Sequence, residues 1–177
     1  MRHVIVGWDE RETTAFAVCK HSLIRRASVP VDVFPLMEQS LRFRKLFTRP
    51  QENYVDLLDG KPFSTEFSFT RFLVPEICRM NNIGGWVLFC DSDFLFLDDV
   101  ETLFTEVEHG GFGELAVMVT KHNYSPADST KMDGMKQESY PRKLWSSFVM
   151  WNMDHPANKK LTEQEVNTRP GSWLHNF

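Results

Sequence analysis

Two aspartates, Asp91 and Asp93, stand one residue apart directly after an apolar run, Trp86 to Cys90. In an extended turn, residues i and i+2 face the same side of the chain, so both carboxylates can point at one site. Two adjacent carboxylates repel each other unless a cation or a proton lies between them. Oxygen ligands of this kind favour Mg²⁺ or Mn²⁺, which leave positions open for phosphate oxygens. We call Asp91-Ser92-Asp93 the acidic turn and predict that it binds a divalent cation, rather than merely capping a turn.

Alternating strands and helices are predicted around the acidic turn. The continuous apolar character of the Trp86 to Cys90 run predicts a central strand, and residues 3–7 and 31–36 predict two more. Asp9 followed by Glu12 is a helix-start signature, so a right-handed parallel crossover is expected between the first two strands. The other predicted elements are helices over 64–82, with a kink or new first turn at Pro75, and 101–108, and strands over 115–120 and 147–151.

This alternation predicts an α/β fold with a mostly parallel central sheet flanked by helices. A chain of 177 residues fits a single domain over residues 1–177 with one core. Between residues 38 and 61 the pattern dissolves into charged and polar residues, and we predict an excursion that could act as a lid. Ligands of such sheets bind outside the carboxyl ends of the strands, where the acidic turn is expected.

The composition excludes some functions. A formal net charge of −4 argues against nucleic-acid binding, which needs clustered cations. The basic stretch over residues 42–49 is interpreted as a solvated face, although it could lie near a membrane or an anionic substrate. The three cysteines are expected to be buried free thiols. No signal-peptide core or transmembrane run is found, so a cytoplasmic location is the default expectation.

The segment over residues 69–100 (FTRFLVPEICRMNNIGGWVLFCDSDFLFLDDV) resembles the donor-binding core of GT-A glycosyltransferases, especially family 8. Residues 4–23 are similar to the opening strand of these enzymes, whose following loop contacts the nucleotide. Residues 144–156 resemble their acceptor-side strand, although Ser146-Ser147 stands where Asn-Ala-Gly is expected. Family members usually continue further beyond the position of His175, so either the protein is short or this sequence lacks the C-terminal end of the domain.

The resemblance implies a retaining transfer of a sugar from a nucleotide diphosphate, with a UDP-sugar as the expected donor and Mn²⁺ or Mg²⁺ as the cofactor. The acceptor is an unspecified glycan, lipid or protein. The implied donor-binding residues are Val6, Gly7, Asp9, Arg11, Arg71, Asp91, Ser92 and Asp93. The implied metal ligands are Asp91, Asp93 and His175, the histidine of a C-terminal Leu-His pair. Arg71 and Gln164 are implied to lie at the reaction centre.

Each of these roles has a structural alternative. Asp9 is equally well explained as a helix cap, Arg71 as a surface ion pair, and His175 as a structural histidine. Thr162 and Glu165 form a capping box, which explains the segment around Gln164 without catalysis.

Other functions also remain open for the whole chain. It could be a nucleotide-sugar-binding module without turnover. It could also be a phosphatase with Asp91 as nucleophile and Asp93 as acid and base, although no convincing downstream lysine and acidic pair is found. A nucleotidyltransferase is disfavoured because the first strand lacks a Gly-rich phosphate loop.

Overall fold

The structure is a computed structural model that describes residues 1–121 and 145–177 of the chain. The segment that resembles an acceptor-side strand begins at residue 144, just outside the described residues. The strands are β1 (Arg2–Trp8), β2 (Val31–Met37), β3 (Gln51–Glu52), β4 (Val55–Asp56), β5 (Trp86–Cys90), β6 (Val117–Val119) and β7 (Phe148–Asn152). The helices are α1 (Thr13–Arg26), α2 (Glu38–Phe43), α3 (Phe67–Thr70), α4 (Val74–Met80), α5 (Val100–His109), α6 (Glu163–Thr168) and α7 (Gly171–His175).

Five strands form one sheet in the order β2-β1-β5-β7-β6. β1 runs parallel to β2 and to β5, so the predicted crossover through α1 is confirmed. β7 runs antiparallel to both β5 and β6, which leaves four of these five strands pointing the same way. The predicted α/β fold with a mostly parallel sheet and flanking helices is therefore confirmed. The carboxyl ends of β1, β2 and β5 and the amino end of β7 meet along one border of the sheet, which we call the site edge.

Apolar side chains pack on both faces of this sheet. Along β5 every residue is buried, with Val87 and Phe89 in one core and Leu88 and Cys90 in the other. This explains why the strand reads as a continuous apolar run rather than an alternating one. Cys90 approaches Cys19 of α1 with 4.0 Å between the two sulfur atoms, and all three cysteines are buried free thiols, as predicted.

The helix before β5 is broken into pieces. A short 3₁₀ segment, Arg71–Leu73, separates α3 from α4, and Pro75 lies in the first turn of α4. Proline lacks an N–H group and is tolerated there, because the first amides of a helix have no intrahelical acceptor. The predicted new first turn at Pro75 is thus confirmed. The break places Arg71 on a tight turn that faces the site edge.

The excursion over residues 38–61 is packed against the domain. Arg49, at the end of the basic stretch, is fully buried, and its guanidinium donates to Asp56 and to the carbonyl oxygens of Val166 and Arg169. The interpretation of residues 42–49 as a solvated face is therefore wrong for Arg49. Its partners come from a distant segment, which local composition does not reveal. These bonds tie the excursion to α6, and its role as a lid stays a prediction.

Among the described residues, no helix is both long and apolar enough to cross a bilayer.

Candidate functional site

The acidic turn lies at the site edge, as expected from its place after β5. The backbone N–H of Asp91 donates to the carbonyl oxygen of Ser147 at 2.8 Å, which anchors the turn to the amino end of β7. Ser92 is buried, and its hydroxyl donates to Oε2 of Glu12 at 2.7 Å. Asp93 is exposed. The turn is thus held from two sides, by the start of α1 and by the segment before β7, while Asp93 faces solvent.

Arg71 is brought directly against Asp91. Its Nη1 lies 3.0 Å from Oδ1 of Asp91, and both side chains are largely buried. Nη1 also donates to the carbonyl oxygen and the hydroxyl of Ser146, at 3.0 and 3.3 Å. Nη1 is thus shared between Ser146 and Asp91, and its contact with Asp91 Oδ1 is chiefly an ion pair. That oxygen is shielded from solvent and has no hydrogen-bond partner in the described part of the chain.

The electrostatic environment of Asp91 favours a proton or a cation. Burial raises the pKa of its carboxyl, Arg71 opposes the rise, and the charges of Asp93 and Glu12 add to it, for a pKa of about 6. The three carboxylates of Asp91, Asp93 and Glu12 therefore act together at the acidic turn, and the guanidinium of Arg71 is the positive charge that opposes them. Such an excess of negative charge is relieved when a cation enters.

A divalent cation fits these residues if the ligand completes its coordination. Asp91 and Asp93 offer carboxylate oxygens, and Mg²⁺ is usually held by one or two carboxylates together with substrate phosphates. Within residues 1–121 and 145–177, no group of three or more His, Cys, Asp or Glu side chains is arranged to hold a metal ion. The expected set of Asp91, Asp93 and His175 is thus not assembled in this structure. The residues present suit a cation shared with a diphosphate.

Asp9 and Arg11 lie in the loop that follows β1. Asp9 is fully buried and accepts four hydrogen bonds, from the backbone N–H, Nε and Nη2 of Arg11 and from the backbone N–H of Glu66. Burial opposes ionisation, but these bonds prevail and lower the pKa of its carboxyl. Arg11 also donates to Ser64 and stacks on Tyr54. Both carboxylate oxygens of Asp9 are therefore occupied by hydrogen bonds within the protein. The expected contact of Asp9 with the nucleotide stays a prediction, and Arg11 is better placed than Asp9 to make such a contact.

The two residues expected at the end of β1 are closely packed. Val6 is fully buried in the core beneath the sheet edge. A Cβ atom on Gly7 would meet the Phe67 ring at 2.7 Å, closer than side chains tolerate. Glycine at position 7 thus allows α3 to lie directly on β1. Because α3 leads into the turn that carries Arg71, Gly7 positions the site through packing, whatever contact it makes with a nucleotide.

The C-terminal candidates, His175 and Gln164, are held by contacts of their own. The His175 ring packs edge-on against Phe72 and Trp145, and its carbonyl oxygen accepts from Trp145 Nε1. Gln164 is exposed on α6, where Thr162 caps the first turn by accepting from the N–H of Glu165. The capping interpretation is thereby confirmed. The ligand role of His175 and the catalytic role of Gln164 stay predictions.

Two residues of the site were missed from the sequence. The spacing of Asp9 and Glu12 predicts a helix start, but Asp9 caps a 3₁₀ turn at Arg11, and Glu12 instead accepts a hydrogen bond from Ser92. In the sequence, Ser146 stands out only as a departure from the family pattern. Its contact with Arg71 arises because β7 is antiparallel to β5, which brings the start of β7 to the site edge. No local signal identifies that strand direction.

Comparison with known proteins gives one sequence relative and several structural ones. No family model matches the chain. It is 41% identical over 174 residues to Protein CDI of Arabidopsis thaliana, and the match covers 98% of this chain but only 61% of that protein. The chain thus spans about three fifths of the length of this curated relative.

Two solved structures share the fold. The bifunctional glycosyltransferase WbbM matches with a TM-score of 0.56 and 14% identity, over 94% of this chain and 34% of that one. Mouse xyloside xylosyltransferase 1 matches with a TM-score of 0.51 and 12% identity, over 99% of this chain and 76% of that one. At such identities the likeness establishes the fold alone. The chain has a GT-A-like glycosyltransferase fold, and the narrower resemblance to family 8 stays a prediction.

Proposed function

We propose that this chain is a glycosyltransferase that uses Mn²⁺ or Mg²⁺ and transfers a sugar from a nucleotide diphosphate, with a UDP-sugar as the expected donor. The observation that carries the proposal is the position of the acidic turn at the carboxyl end of a central strand, with Arg71 held 3.0 Å from Asp91. Ligands of open α/β sheets bind at such strand ends, next to the point where strand order reverses. Here the reversal lies between β1 and β5. The acceptor is a hydroxyl of a glycan, lipid or protein.

Each residue of the site has a distinct task in this reaction. Asp91 and Asp93 would hold the cation, which neutralises the negative charge that develops on the leaving diphosphate. Arg71 adds a second positive charge. Its guanidinium is already oriented by Ser146 and by the carbonyl oxygen of Phe67, so little reorganisation is needed when charge develops. Glu12 fixes the middle of the acidic turn by accepting a hydrogen bond from the Ser92 hydroxyl.

A turnover assay tests this proposal. Purified protein is incubated with a panel of UDP-sugars and Mn²⁺, and donor hydrolysis and transfer to simple acceptors are measured with and without a chelator. We expect chelator-sensitive turnover with at least one donor. Arg71→Ala should lower kcat/KM by about 100-fold or more, as for the loss of one preorganised donor to a transition-state charge. Arg25→Ala, an exposed arginine on the last turn of α1, should keep wild-type turnover.

The alternative is a nucleotide-sugar-binding module without turnover. It is favoured by the absence, within the described residues, of a three-ligand metal group and by the exposed position of Gln164. Cation-dependent nucleotide binding without hydrolysis or transfer of any donor would support this alternative and would refute the transferase.

A further inference from the structure

Four aromatic side chains surround a single cavity on one face of the sheet. The cavity has a volume of about 400 Å³, and its lining includes Trp145, Trp151, Trp173 and Phe177. Trp151 belongs to β7 and is almost completely buried, whereas Trp145, Trp173 and Phe177 are half-buried. Pockets of about 300 to 1,000 Å³ are of the size that holds small ligands. The same four rings belong to the core of that face or pack against it, so they contribute to core packing and line the cavity as well.

Two of the lining side chains carry polar atoms without a partner. Nε1 of Trp151 and Oδ1 of Asn158 form no hydrogen bond in the described part of the chain, although their residues are only 1% and 2% exposed. The amide orientation of Asn158 is fixed, because its Nδ2 donates to the carbonyl oxygens of Ala116 and Asn152 at 2.7 and 2.8 Å. Oδ1 of Asn158 is therefore an acceptor to which no group among the described residues donates. An unpaired buried donor or acceptor costs about 1–3 kcal/mol, so each favours a ligand that pairs with it.

We propose that this cavity binds a carbohydrate. A pyranose ring presents apolar C–H faces, which suit stacking on indole rings, and hydroxyls that both donate and accept. One hydroxyl can donate to Asn158 Oδ1 and another can accept from Trp151 Nε1, which a hydrocarbon cannot do. Lys160, exposed at the rim, adds further donors. The two unpartnered atoms are closed to bulk water in this structure, so the proposal requires the half-buried rings of Trp173 and Phe177 to move aside when the sugar enters.

The cavity approaches the candidate donor site at Trp145, which immediately precedes Ser146, whose carbonyl oxygen and hydroxyl hold Arg71. Other lining residues lie toward the opposite border of the sheet, since Trp151 is near the carboxyl end of β7 and Val117 begins β6. A glycan in the cavity therefore meets the site edge at Trp145. Its use as the acceptor rests on the proposed function, whereas binding of the carbohydrate does not.

Direct binding measurements test the proposal without nucleotide or divalent cation. Intrinsic tryptophan fluorescence and saturation-transfer NMR are recorded with cellobiose and with the methyl glycosides of glucose, galactose and xylose. We expect a saturable response to at least one of them in the millimolar range. Sorbitol, which has the hydroxyls but no ring face, should give none. Because nucleotide and metal are absent from this assay, it tests carbohydrate binding alone. A negative transferase assay would therefore not contradict carbohydrate binding, and a negative binding assay would not contradict transferase activity.

Variants identify the site. Trp173→Ala should weaken binding at least fivefold, and Trp173→Phe, which preserves more of the packing, should weaken it less. Trp151→Phe removes the Nε1 donor while keeping an aromatic ring, and should weaken binding about threefold or more. Phe43→Ala is the matched control, because Phe43 is 91% exposed and lies outside the cavity lining; it should bind as the wild type does. Absence of saturable binding to every sugar, or equal binding by folded Trp173→Phe, Trp151→Phe and wild-type protein, would overturn the proposal.

Discussion

Replacing Asp91 by asparagine is expected to stabilise the cation-free protein at neutral pH. Burial raises the pKa of the Asp91 carboxyl from 3.8 to about 6, against the opposing effect of Arg71. Between these two values the folded protein retains a proton that the unfolded chain has lost, so the free energy of unfolding falls as pH rises. A shift of roughly two units corresponds to about 3 kcal/mol, at about 1.4 kcal/mol per unit. This loss of stability is complete about one unit above pH 6, and the asparagine variant does not undergo it.

The assay is urea unfolding of wild-type and Asp91→Asn protein at intervals from pH 4 to pH 8 with a chelator present. The free energy of unfolding of the variant, minus that of the wild type, should increase by about 2–3 kcal/mol from pH 4 to pH 7 and then level off. Asp9→Asn is the matched control of opposite sign. Because the pKa of Asp9 is lowered, its carboxylate contributes stability that is present above pH 3.8 and is lost only as pH falls below that value, so this variant should be less stable than the wild type by a nearly constant amount between pH 4 and pH 8.

A difference between Asp91→Asn and wild type that stays constant across this pH range would refute the reasoning, and so would a decrease. Either result would mean that solvent or Arg71 compensates the buried charge fully. The acidic turn would then lack the excess negative charge on which the cation argument depends.

Substitutions at three further positions test how the site is supported. Gly7→Ala should destabilise the fold by about 1–3 kcal/mol in urea unfolding, because the new Cβ overlaps the Phe67 ring; an unchanged midpoint would show that α3 can shift freely. Asp56→Ala should cost about 3–5 kcal/mol, measured in the same way, since it leaves the Arg49 charge buried and unpaired; a loss below 1 kcal/mol would mean that water reaches Arg49. Glu12→Ala should cost about 1–3 kcal/mol because it orphans the buried Ser92 hydroxyl, whereas Glu12→Gln, which keeps an acceptor, should cost less; equal losses would contradict this role.

The strands and their order of appearance could be predicted because their patterns are local. The Trp86 to Cys90 run matches β5 residue for residue, and the strands predicted at 3–7 and 31–36 are only slightly shorter than β1 and β2. A continuous apolar run reports burial on both faces, which is a property of the strand itself. The acidic turn could then be placed at a strand end from chain order alone.

The connections across the site could not be predicted in the same way. The bonds of Glu12 to Ser92 and of Arg71 to Ser146 join residues about 80 and 75 positions apart. They depend on the antiparallel direction of β7 and on the turn of chain before α1, neither of which leaves a periodic signal. Arg49 is a similar case, because a buried arginine is recognised only through partners such as Val166 that fold back onto it.

The aromatic cavity illustrates a further limit of sequence interpretation. Trp145, Trp151 and Trp173 carry no common spacing and lie in three different elements. Composition indicates an aromatic surplus, and burial preference assigns most of it to the core. Only tertiary packing distinguishes rings that fill the core from rings that surround a hollow.

The most direct test of the central claim is the affinity for UDP measured by calorimetry with and without Mn²⁺, for wild-type and Asp93→Asn protein. Asp93 is exposed, so its amide variant should fold normally, which circular dichroism checks. If the acidic turn binds a cation together with a diphosphate, Mn²⁺ should tighten UDP binding by the wild-type protein at least tenfold. The affinity of the Asp93→Asn variant for UDP should be nearly the same with and without Mn²⁺. The same Mn²⁺-dependent gain in both proteins, or none in the wild type, would contradict it.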